Sequence, residues 1–244
     1  MQIIPVIDLK NGIVVHAKQG DRDNYAPLQS KICKSADIFD VVDTFWTLFR
    51  VPKLYIADLN AITRQGDNAG LLDNVLGAFP NITFWVDGGY PLCNDIFQQL
   101  PNHCPVLGSE SFNDENVAKI KKFENTFILS LDYSLIGELG AKTLFLNQDL
   151  WPANIIIMNL PKVGSGLGPD WDCITAYHEQ YPQHNFIAAG GIRDSQDLDE
   201  LGRIGIKQAL VATALHNGKI SPDDIASIQA KKYPARGVFS TSLR

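Results

Sequence analysis

The amino-acid sequence predicts a closed (β/α)₈ TIM barrel, and three observations support this fold class. Eight short runs rich in Val, Ile and Leu alternate with amphipathic stretches along the chain, which is typical of parallel β/α units. The length of 244 residues is close to that of a single barrel. No low-complexity linker divides the chain, so residues 1–244 are predicted to form one domain.

The predicted elements follow one another in the order that a barrel requires. Strands are predicted at Ile3–Asp8, Leu54–Leu59, Thr83–Asp87, Pro105–Gly108, Phe127–Asp132, Ile155–Leu160, Phe186–Ala189 and Ala209–Ala212. Helices are predicted at Asp37–Leu48, Asn113–Phe123, Asp170–Tyr181 and Ser195–Leu201. Asn11–Gly12 predicts a hairpin turn that adds a small strand after the first. The tail from Lys231 to Arg244 is expected to fray or to lie along the outside.

The two halves of the chain resemble each other, which predicts a half-barrel duplication. Asp8 corresponds to Asp132, because each ends a strand-like run, IIPVID in one half and FILSLD in the other. The Gly-Gly pair at 88–89 corresponds to the pair at 190–191, and Gly108-Ser109 corresponds to Ala212-Thr213. Such a duplication gives a barrel pseudo-two-fold symmetry about its mouth.

Asp8 and Asp132 are the predicted catalytic residues. In a barrel enzyme the acids and bases lie at the carboxyl ends of the strands, where both aspartates are placed by the pattern. Two carboxylates on opposite sides of one mouth could exchange protons with the two ends of a single substrate. The alternative is a structural role, such as a helix cap or a buried hydrogen-bonded carboxylate.

Two glycine-containing cradles are predicted to bind phosphate, one in each half. Glycine lets backbone amides approach an anion, and the turns after the last two strands of a barrel often hold phosphate. The predicted cradle residues are Gly88, Gly89, Gly108 and Ser109 in the first half, and Gly190, Gly191, Ala212 and Thr213 in the second. The alternative is that these residues only form tight turns. Asp87 weakens the first cradle, because a carboxylate repels a phosphate.

Four further side chains are candidates for substrate binding. Arg193 follows the second cradle, although a surface arginine is the common alternative. Ser165 lies in Gly164–Gly166, which is either a flexible loop over the mouth or an ordinary turn. His16 and Gln19 lie on the predicted hairpin and could reach the mouth.

Composition narrows the class of partner. A net charge of −6 argues against a nucleic-acid partner, and no segment has the apolar length of a membrane span. The four cysteines form no CxxC motif and the histidines no HxH or HExxH motif, so a reduced, cytoplasmic protein without a metal site is expected. The expected partner is a small phosphorylated substrate. A monomer and a dimer are equally compatible with the sequence.

Several segments resemble one enzyme family over nearly the whole chain. They are IIPVIDLKNGIVVHAKQGDRDNYAPL (3–28), LYIADLN (54–60), DGG (87–89), LGSES (107–111), LSLD (129–132), AAGGIRD (188–194) and ALVATALHNGKI (209–220). The chain resembles the phosphoribosylformimino-aminoimidazole carboxamide ribotide (ProFAR) isomerases of histidine biosynthesis. The resemblance implies a half-barrel duplication, an Amadori rearrangement without metal or other cofactor, and phosphates bound at the two cradles. It further implies that Asp8 is the general base and Asp132 a second catalytic or orienting carboxylate.

The chain departs from the family pattern around strand six and in the fifth unit. Met158, Asn159 and Val163 stand where the family usually has a threonine, an aspartate and the acid of an Asp-Gly-Thr motif. His16 replaces an expected arginine, and the segment from Tyr133 to Asn154 is short, which predicts a reduced fifth β/α unit. These departures indicate a paralogue.

The leading hypothesis is therefore an acid–base enzyme that acts on a different phosphorylated sugar or ribosyl compound. The reaction would be an isomerisation, a ring opening, or a lyase or condensation step. Divergent members of the group in microbes with one-carbon metabolism suggest coenzyme biosynthesis, by analogy alone. The alternatives are a true ProFAR isomerase and a non-catalytic phosphate-binding barrel.

Overall fold

Eight parallel strands close into a barrel in the computed structural model, which describes residues 1–90, 100–124 and 126–231. The barrel strands are β1 (Gln2–Lys10), β4 (Lys53–Asp58), β5 (Thr83–Asp87), β6 (His103–Gly108), β7 (Ile128–Ser134), β9 (Asn154–Asn159), β10 (Asn185–Ala189) and β11 (Gln208–Val211). Parallel pairing of β1 with β11, from Gln2 opposite Gln208 to Pro5 opposite Val211, closes the sheet. The predicted (β/α)₈ fold is confirmed.

Two barrel strands continue into antiparallel extensions at the mouth. β1 runs beyond Asp8 to Lys10 and pairs with β2 (Ile13–His16), which pairs with β3 (Ala26–Pro27). The turn between β1 and β2 has positive φ at both Asn11 and Gly12, as a type I′ hairpin requires. β7 runs beyond Asp132 and pairs with β8 (Gly137–Glu138). Both aspartates therefore lie two residues before the end of their strand, instead of ending it as predicted.

Helices cover the outside of the barrel. They are α1 (Ile38–Phe49), α2 (Leu59–Ile62), α3 (Ala69–Ala78), α4 (Lys142–Leu146), α5 (Trp171–Gln180), α6 (Ser195–Arg203), α7 (Thr213–His216) and α8 (Pro222–Ala230). The helix predicted at Asn113–Phe123 is a 3₁₀ helix over Val117–Phe123. The fifth unit is reduced, as predicted, to the five residues of α4 and a 3₁₀ turn at Gln148–Leu150. The predicted fraying of the tail concerns 232–244, which lie outside the described residues.

Two apolar layers hold the fold together. Inside the barrel, side chains from alternate strand positions form one cluster: Ile4, Tyr55, Trp85, Val106, Ile128, Ile156, Ile187 and Leu210. A larger cluster fills the space between the sheet and the helices, with Phe45 of α1 and Leu54 of β4 fully buried in it. Each such side chain contributes about 1.5–3 kcal/mol by leaving water. Because side chains fill the barrel interior, we expect a ligand cavity of the barrel to open at the carboxyl ends of its strands. None of the helices in the described residues is long and apolar enough to cross a membrane.

Candidate active site

A cavity of about 220 Å³ opens at the carboxyl ends of the barrel strands. We call it the mouth cavity. Its polar and charged lining residues include Asp8, Arg22, Tyr25, Tyr55, Asp87, Glu110, Asp132, Ser165, Arg193, Thr213, Asn217 and Lys219. The carboxylates and Arg22 come from the first half of the barrel and β7, whereas the glycines, Thr213 and Lys219 come from the loops after β9, β10 and β11. The cavity therefore has an acidic end and an end rich in small residues.

Sheet register places two of the carboxylates on one level. Asp8 of β1 lies opposite Ala57 of β4, and Ala57 lies opposite Asp87 of β5. Side chains on alternate residues of a strand point the same way, so Val6 and Asp8 both line the cavity. Asp132 projects into the same cavity from β7, where it lies opposite Met158 of β9. The barrel brings together the two aspartates predicted from sequence.

The Asp8 carboxylate accepts no hydrogen bond from the residues that the structure describes. It is half-buried and faces the cavity. Burial raises the pKa of Asp8 to about 7, while the positive charge of Arg22 opposes the shift. A carboxyl group that titrates near neutral pH and has free oxygens can both take and give a proton.

Asp132 is held by a network of donors. The Ser130 hydroxyl donates to its Oδ1 at 2.6 Å, and the Ser109 hydroxyl and the Glu110 amide donate to its Oδ2 at 3.2 and 3.3 Å. These bonds fix the orientation of the carboxyl group. Burial and the neighbouring negative charge of Glu110 nevertheless raise the pKa of Asp132 well above its usual value. Burial therefore favours the protonated form of Asp132, in which it can donate a proton.

Asp87 is a third carboxyl group at the acidic end, and like Asp132 it is buried. Its Oδ1 accepts the Gly89 amide at 3.1 Å, and its Oδ2 accepts the Tyr55 hydroxyl at 3.5 Å. Burial, with the charge of Glu110, raises the pKa of Asp87 to about 7. From the sequence we expected Asp87 only to weaken phosphate binding at the first cradle. In the structure Asp87 lines the mouth cavity.

Arg22 and Glu110 form a bidentate ion pair at the rim of the acidic end. The guanidinium donates to the two carboxylate oxygens at 2.8 and 2.6 Å. Arg22 belongs to the loop after β2, and Glu110 follows β6, so the pair joins two loops of the first half-barrel. Sequence reasoning missed both residues. The two residues lie in loops and are 88 positions apart, so no sequence motif indicates that they form a pair.

The second predicted cradle lines the mouth cavity. Gly190, Gly191, Ala212 and Thr213 all contact it. Gly190 has a φ of +95°, and a Cβ at that position would lie 2.5 Å from the Asn159 carbonyl oxygen. Only glycine therefore lets the turn after β10 pack against the end of β9. At α7 the first backbone amides have no intrahelical acceptor.

Lys219 supplies a cation at this end, which sequence reasoning did not single out. Its side chain lines the cavity and forms no ion pair with any described carboxylate. The predicted Arg193 also lines the cavity, but its guanidinium donates to Asp197 at 2.9 and 2.6 Å. Arg193 is therefore partly neutralised, and Lys219 is the freer positive charge.

The first predicted cradle lies outside the cavity lining, in contrast to the second. A Cβ on Gly88 would lie 2.5 Å from the Tyr90 ring, so that ring covers it, and the Gly89 amide is bonded to Asp87. Gly108 lies beneath carboxylate oxygens of Asp87 and Asp132. Ser109 is fully buried, and its single hydroxyl proton is shared between the Leu139 carbonyl oxygen at 2.7 Å and Asp132 Oδ2 at 3.2 Å. The structure places no free donor of these four residues at the cavity.

The other candidates divide between cavity and rim. Ser165 lines the cavity, and its hydroxyl donates to the Lys162 carbonyl oxygen at 2.8 Å. His16 and Gln19 are not among the lining residues, and Gln19 instead donates its backbone amide to the Val163 carbonyl oxygen at 2.8 Å. Asn159 also has a structural role, since its side-chain amide donates to Asp170, the N-cap of α5, at 2.7 Å.

The described residues contain no group of three or more His, Cys, Asp or Glu side chains arranged to hold a metal ion. The fold and the cavity define a (β/α)₈ barrel with buried carboxyl groups at the carboxyl ends of its strands.

Sequence comparison then identifies the family. Residues 2–221 match the family described as histidine biosynthesis protein, and the chain belongs to that family. An uncharacterized protein of Methanocaldococcus jannaschii is 31% identical over 232 residues, which cover 92% of this chain and 97% of the relative. A protein of Listeria innocua named as ProFAR isomerase is 26% identical over 96% of this chain and 100% of the relative. A protein of Cytophaga hutchinsonii with the same name is 25% identical over 94% of this chain and 100% of the relative.

Proposed function

We propose that this protein is an enzyme that moves protons on a small phosphorylated sugar or ribosyl compound, with Asp8 and Asp132 as the acid–base pair. The observation that carries the proposal is a single cavity that joins these two carboxyl groups to the glycine-rich turn at 190–191 and Lys219. The relatives named as isomerases support an isomerase-like reaction.

The pKa values suit two different roles. The pKa of Asp8 is raised to about 7, so a large fraction is ionised at neutral pH and can accept a proton. Burial and Glu110 favour the protonated form of Asp132. The two carboxyl groups also differ in their contacts, since Asp132 is held by three donors and Asp8 by none of the described residues. Carboxyl groups in different environments can serve as base and acid.

The reaction that we propose is an aldose–ketose type isomerisation. The Asp8 carboxylate removes the proton from the carbon next to a carbonyl or imine, and Asp132 gives its proton to the carbonyl oxygen or imine nitrogen. The intermediate is an enediol or enaminol. Protonated Asp8 then gives its proton to the former carbonyl or imine carbon, and the hydroxyl group on the neighbouring carbon gives its proton to Asp132. The neighbouring carbon thereby becomes a carbonyl carbon, and Asp8 is again ionised and Asp132 again protonated.

Phosphate binding is assigned to the turns after β10 and β11. Gly190 and Gly191 allow close approach of backbone to ligand, Thr213 offers a hydroxyl, and Lys219 offers a charge without a carboxylate partner among the described residues. These groups are of the types that bind phosphate in barrels. A phosphate there would leave the remainder of the substrate facing Asp8 and Asp132.

Deuterium exchange tests the proposal without requiring a net product. Wild-type protein is incubated in D₂O with ribose 5-phosphate, ribulose 5-phosphate and ProFAR, and NMR follows exchange at the carbon next to the carbonyl or imine. We expect exchange with at least one compound and a loss of roughly 10²–10⁴ in rate for Asp8→Asn and Asp132→Asn. Asp43→Asn, on the exposed face of α1, is the matched control. Unchanged exchange in both cavity variants would refute the assignment.

A second candidate is ProFAR isomerase itself, which the names of the relatives favour. Met158 and Val163, which line the cavity where the family usually has polar groups, disfavour it. ProFAR conversion by the wild type at a rate that supports growth of a histidine auxotroph would establish this candidate.

A further inference from the structure

We infer that the substrate carries one phosphate, and that its opposite end presents hydrogen-bond donors, such as hydroxyl or amino groups, instead of a second anion. This inference rests on the proposed function, because it assigns the phosphate to the turn at 190–191. It concerns the acidic end of the mouth cavity, where sequence symmetry had suggested a second phosphate cradle.

The first reason is that the backbone donors of the would-be cradle are already used. The Gly89 amide donates to Asp87, and the Glu110 amide donates to Asp132. The Tyr90 ring covers Gly88. A phosphate needs several converging donors. Among the described residues of this cradle, the amides of Gly89 and Glu110 are already bonded to the protein's own carboxylates.

The second reason is charge. Asp8, Asp87, Glu110 and Asp132 line the acidic end, and Arg22 is the one basic lining residue there within the described part of the chain. Because Arg22 is bound by both oxygens of Glu110, its charge is compensated. A second phosphate would meet at least two further carboxyl groups in a buried site, which is strongly unfavourable.

The third reason is the free acceptor capacity of Asp8. Its carboxylate faces the cavity and has no donor among the described residues. Buried or half-buried carboxylate oxygens without donors are costly. A ligand hydroxyl or ammonium group would satisfy them, whereas an anion would add a further charge without a partner.

A substrate with one phosphate would distinguish this chain from its isomerase relatives. Their printed name describes a substrate with two phosphoribosyl groups, hence a phosphate at each end. The present cavity is suited to only one of them. At the acidic end of this cavity, Asp87 holds the Gly89 amide that a phosphate would need. The two terminal nitrogens of Arg22 are directed to Glu110, which compensates the positive charge.

The test compares two pentoses that differ by one phosphate. Isothermal calorimetry at pH 8 measures the affinity of the full chain for inorganic phosphate, ribulose 5-phosphate and ribulose 1,5-bisphosphate. We expect the monophosphate to bind at least on the order of tenfold more tightly than the bisphosphate. Equal or tighter binding of the bisphosphate would overturn the inference.

Glu110→Gln tests whether the charge at the acidic end causes the preference for the monophosphate. The variant frees the Arg22 guanidinium and removes one negative charge, so the preference for the monophosphate should fall by about tenfold. Glu200→Gln removes an equal charge from an exposed ion pair on α6 and should leave the preference unchanged. Asp87→Asn provides a second variant with the same expectation, in case Glu110→Gln unfolds. An unchanged preference in the folded variants would count against the inference.

The outcomes also separate this inference from the proposed function. If the bisphosphate binds as well as the monophosphate, the phosphate site stands and only the single-phosphate inference fails. If none of the three probes binds, the phosphate assignment fails, and the inference fails with it.

Discussion

One carboxylate oxygen of Asp87 and one of Asp132 lie beside the position that a Cβ atom of Gly108 would occupy. A Cβ at Gly108 would be 3.2 Å from Asp87 Oδ2 and 3.0 Å from Asp132 Oδ2. Gly108 is the last residue of β6, the strand between those that carry the two aspartates. The missing side chain thus provides the space in which two buried carboxyl groups from β5 and β7 approach each other.

Gly108→Ala is expected to disturb this arrangement. The backbone of Gly108 is extended, with φ −75°, so alanine brings no backbone strain and its effect comes from the methyl group. Displacing the carboxylates should cost about 1–3 kcal/mol of unfolding free energy and reduce activity. Urea unfolding measures the first effect. Gly77→Ala, on the exposed side of α3 with nothing near its Cβ, should instead stabilise by about 0.5–1 kcal/mol. Equal effects at the two sites would contradict the explanation.

Asp8→Asn should make the protein more stable at high pH. The folded pKa of Asp8, about 7, exceeds its ordinary value of 3.8, so the folded state binds this proton more tightly than the unfolded state. The associated stability is present below about pH 4 and is lost as the pH rises to about 7. Asparagine does not ionise, so the advantage of the variant should grow over that range and then level off.

The expected advantage above pH 7 is on the order of 2 kcal/mol, or roughly 4–8 °C in Tm, after allowance for partial solvation of Asp8. Thermal unfolding at pH 4 and pH 8 measures it. Asp43→Asn on the exposed face of α1 should show no comparable dependence on pH. A variant less stable than wild type at pH 8 would show that the ionised carboxylate has a stabilising partner.

Arg22→Gln should raise the pKa of Asp8 further, because the Arg22 charge favours the ionised carboxylate. An increase of about one pH unit is expected. Carbon-13 NMR of labelled aspartate follows the titration, with Asp8→Asn for assignment. Arg203→Gln, on α6, is the control. A midpoint that stays constant or falls would mean that Arg22 does not act on Asp8.

The barrel could be predicted from sequence because its strands are buried runs with recognisable ends. Thr83–Asp87 agrees with the prediction at both ends, since turn residues bound it. α3 was missed because Asp73 is the one charged residue within Ala69–Ala78, so little in the sequence marks a polar face. α8 was missed although it has a clear signal. Ser221 and Asp224 form a capping box around Pro222, a pattern that predicts a helix start.

The site could be predicted only in part. Strand ends placed Asp8 and Asp132 at the mouth, and the turn at 190–191 lines the cavity as the motif suggested. The first cradle looked equivalent because Gly88 and Gly89 repeat the same dipeptide. What distinguishes it is the partner of each donor, such as the bond from Gly89 to Asp87. Such pairings arise from tertiary contacts, and the spacing of residues in the chain does not encode them.

Lys219→Gln should weaken phosphate binding. Its charge has no carboxylate partner among the described residues, so the full interaction is available to a ligand. Because Lys219 lies at an exposed rim, the loss should be about tenfold in affinity. Calorimetry with inorganic phosphate provides the measurement, and Lys207→Gln, at the opposite end of β11, is the matched control. Equal affinity in the two variants would place the phosphate elsewhere.

Gly164→Ala should separate the loop after β9 from the loop after β2. The two loops meet where the Gln19 amide donates to the Val163 carbonyl oxygen, and a Cβ at Gly164 would lie 2.5 Å from the Ala17 carbonyl oxygen. Gly166 has a similar positive φ, +70° compared with +62° at Gly164, but a Cβ added at Gly166 would have no atom within 4 Å.

The two alanine variants therefore share the backbone strain, about 1 kcal/mol, and differ only in the collision. Gly164→Ala should lose a further 1–3 kcal/mol or so and should expose the Gln19 amide. Hydrogen exchange of that amide distinguishes the two, since protection should fall in Gly164→Ala and persist in Gly166→Ala. If the loops also enclose the ligand, Gly164→Ala should weaken phosphate binding while Gly166→Ala leaves it near wild type. Equal protection in both variants would mean that the loops meet through other contacts and that the glycine serves only its own turn.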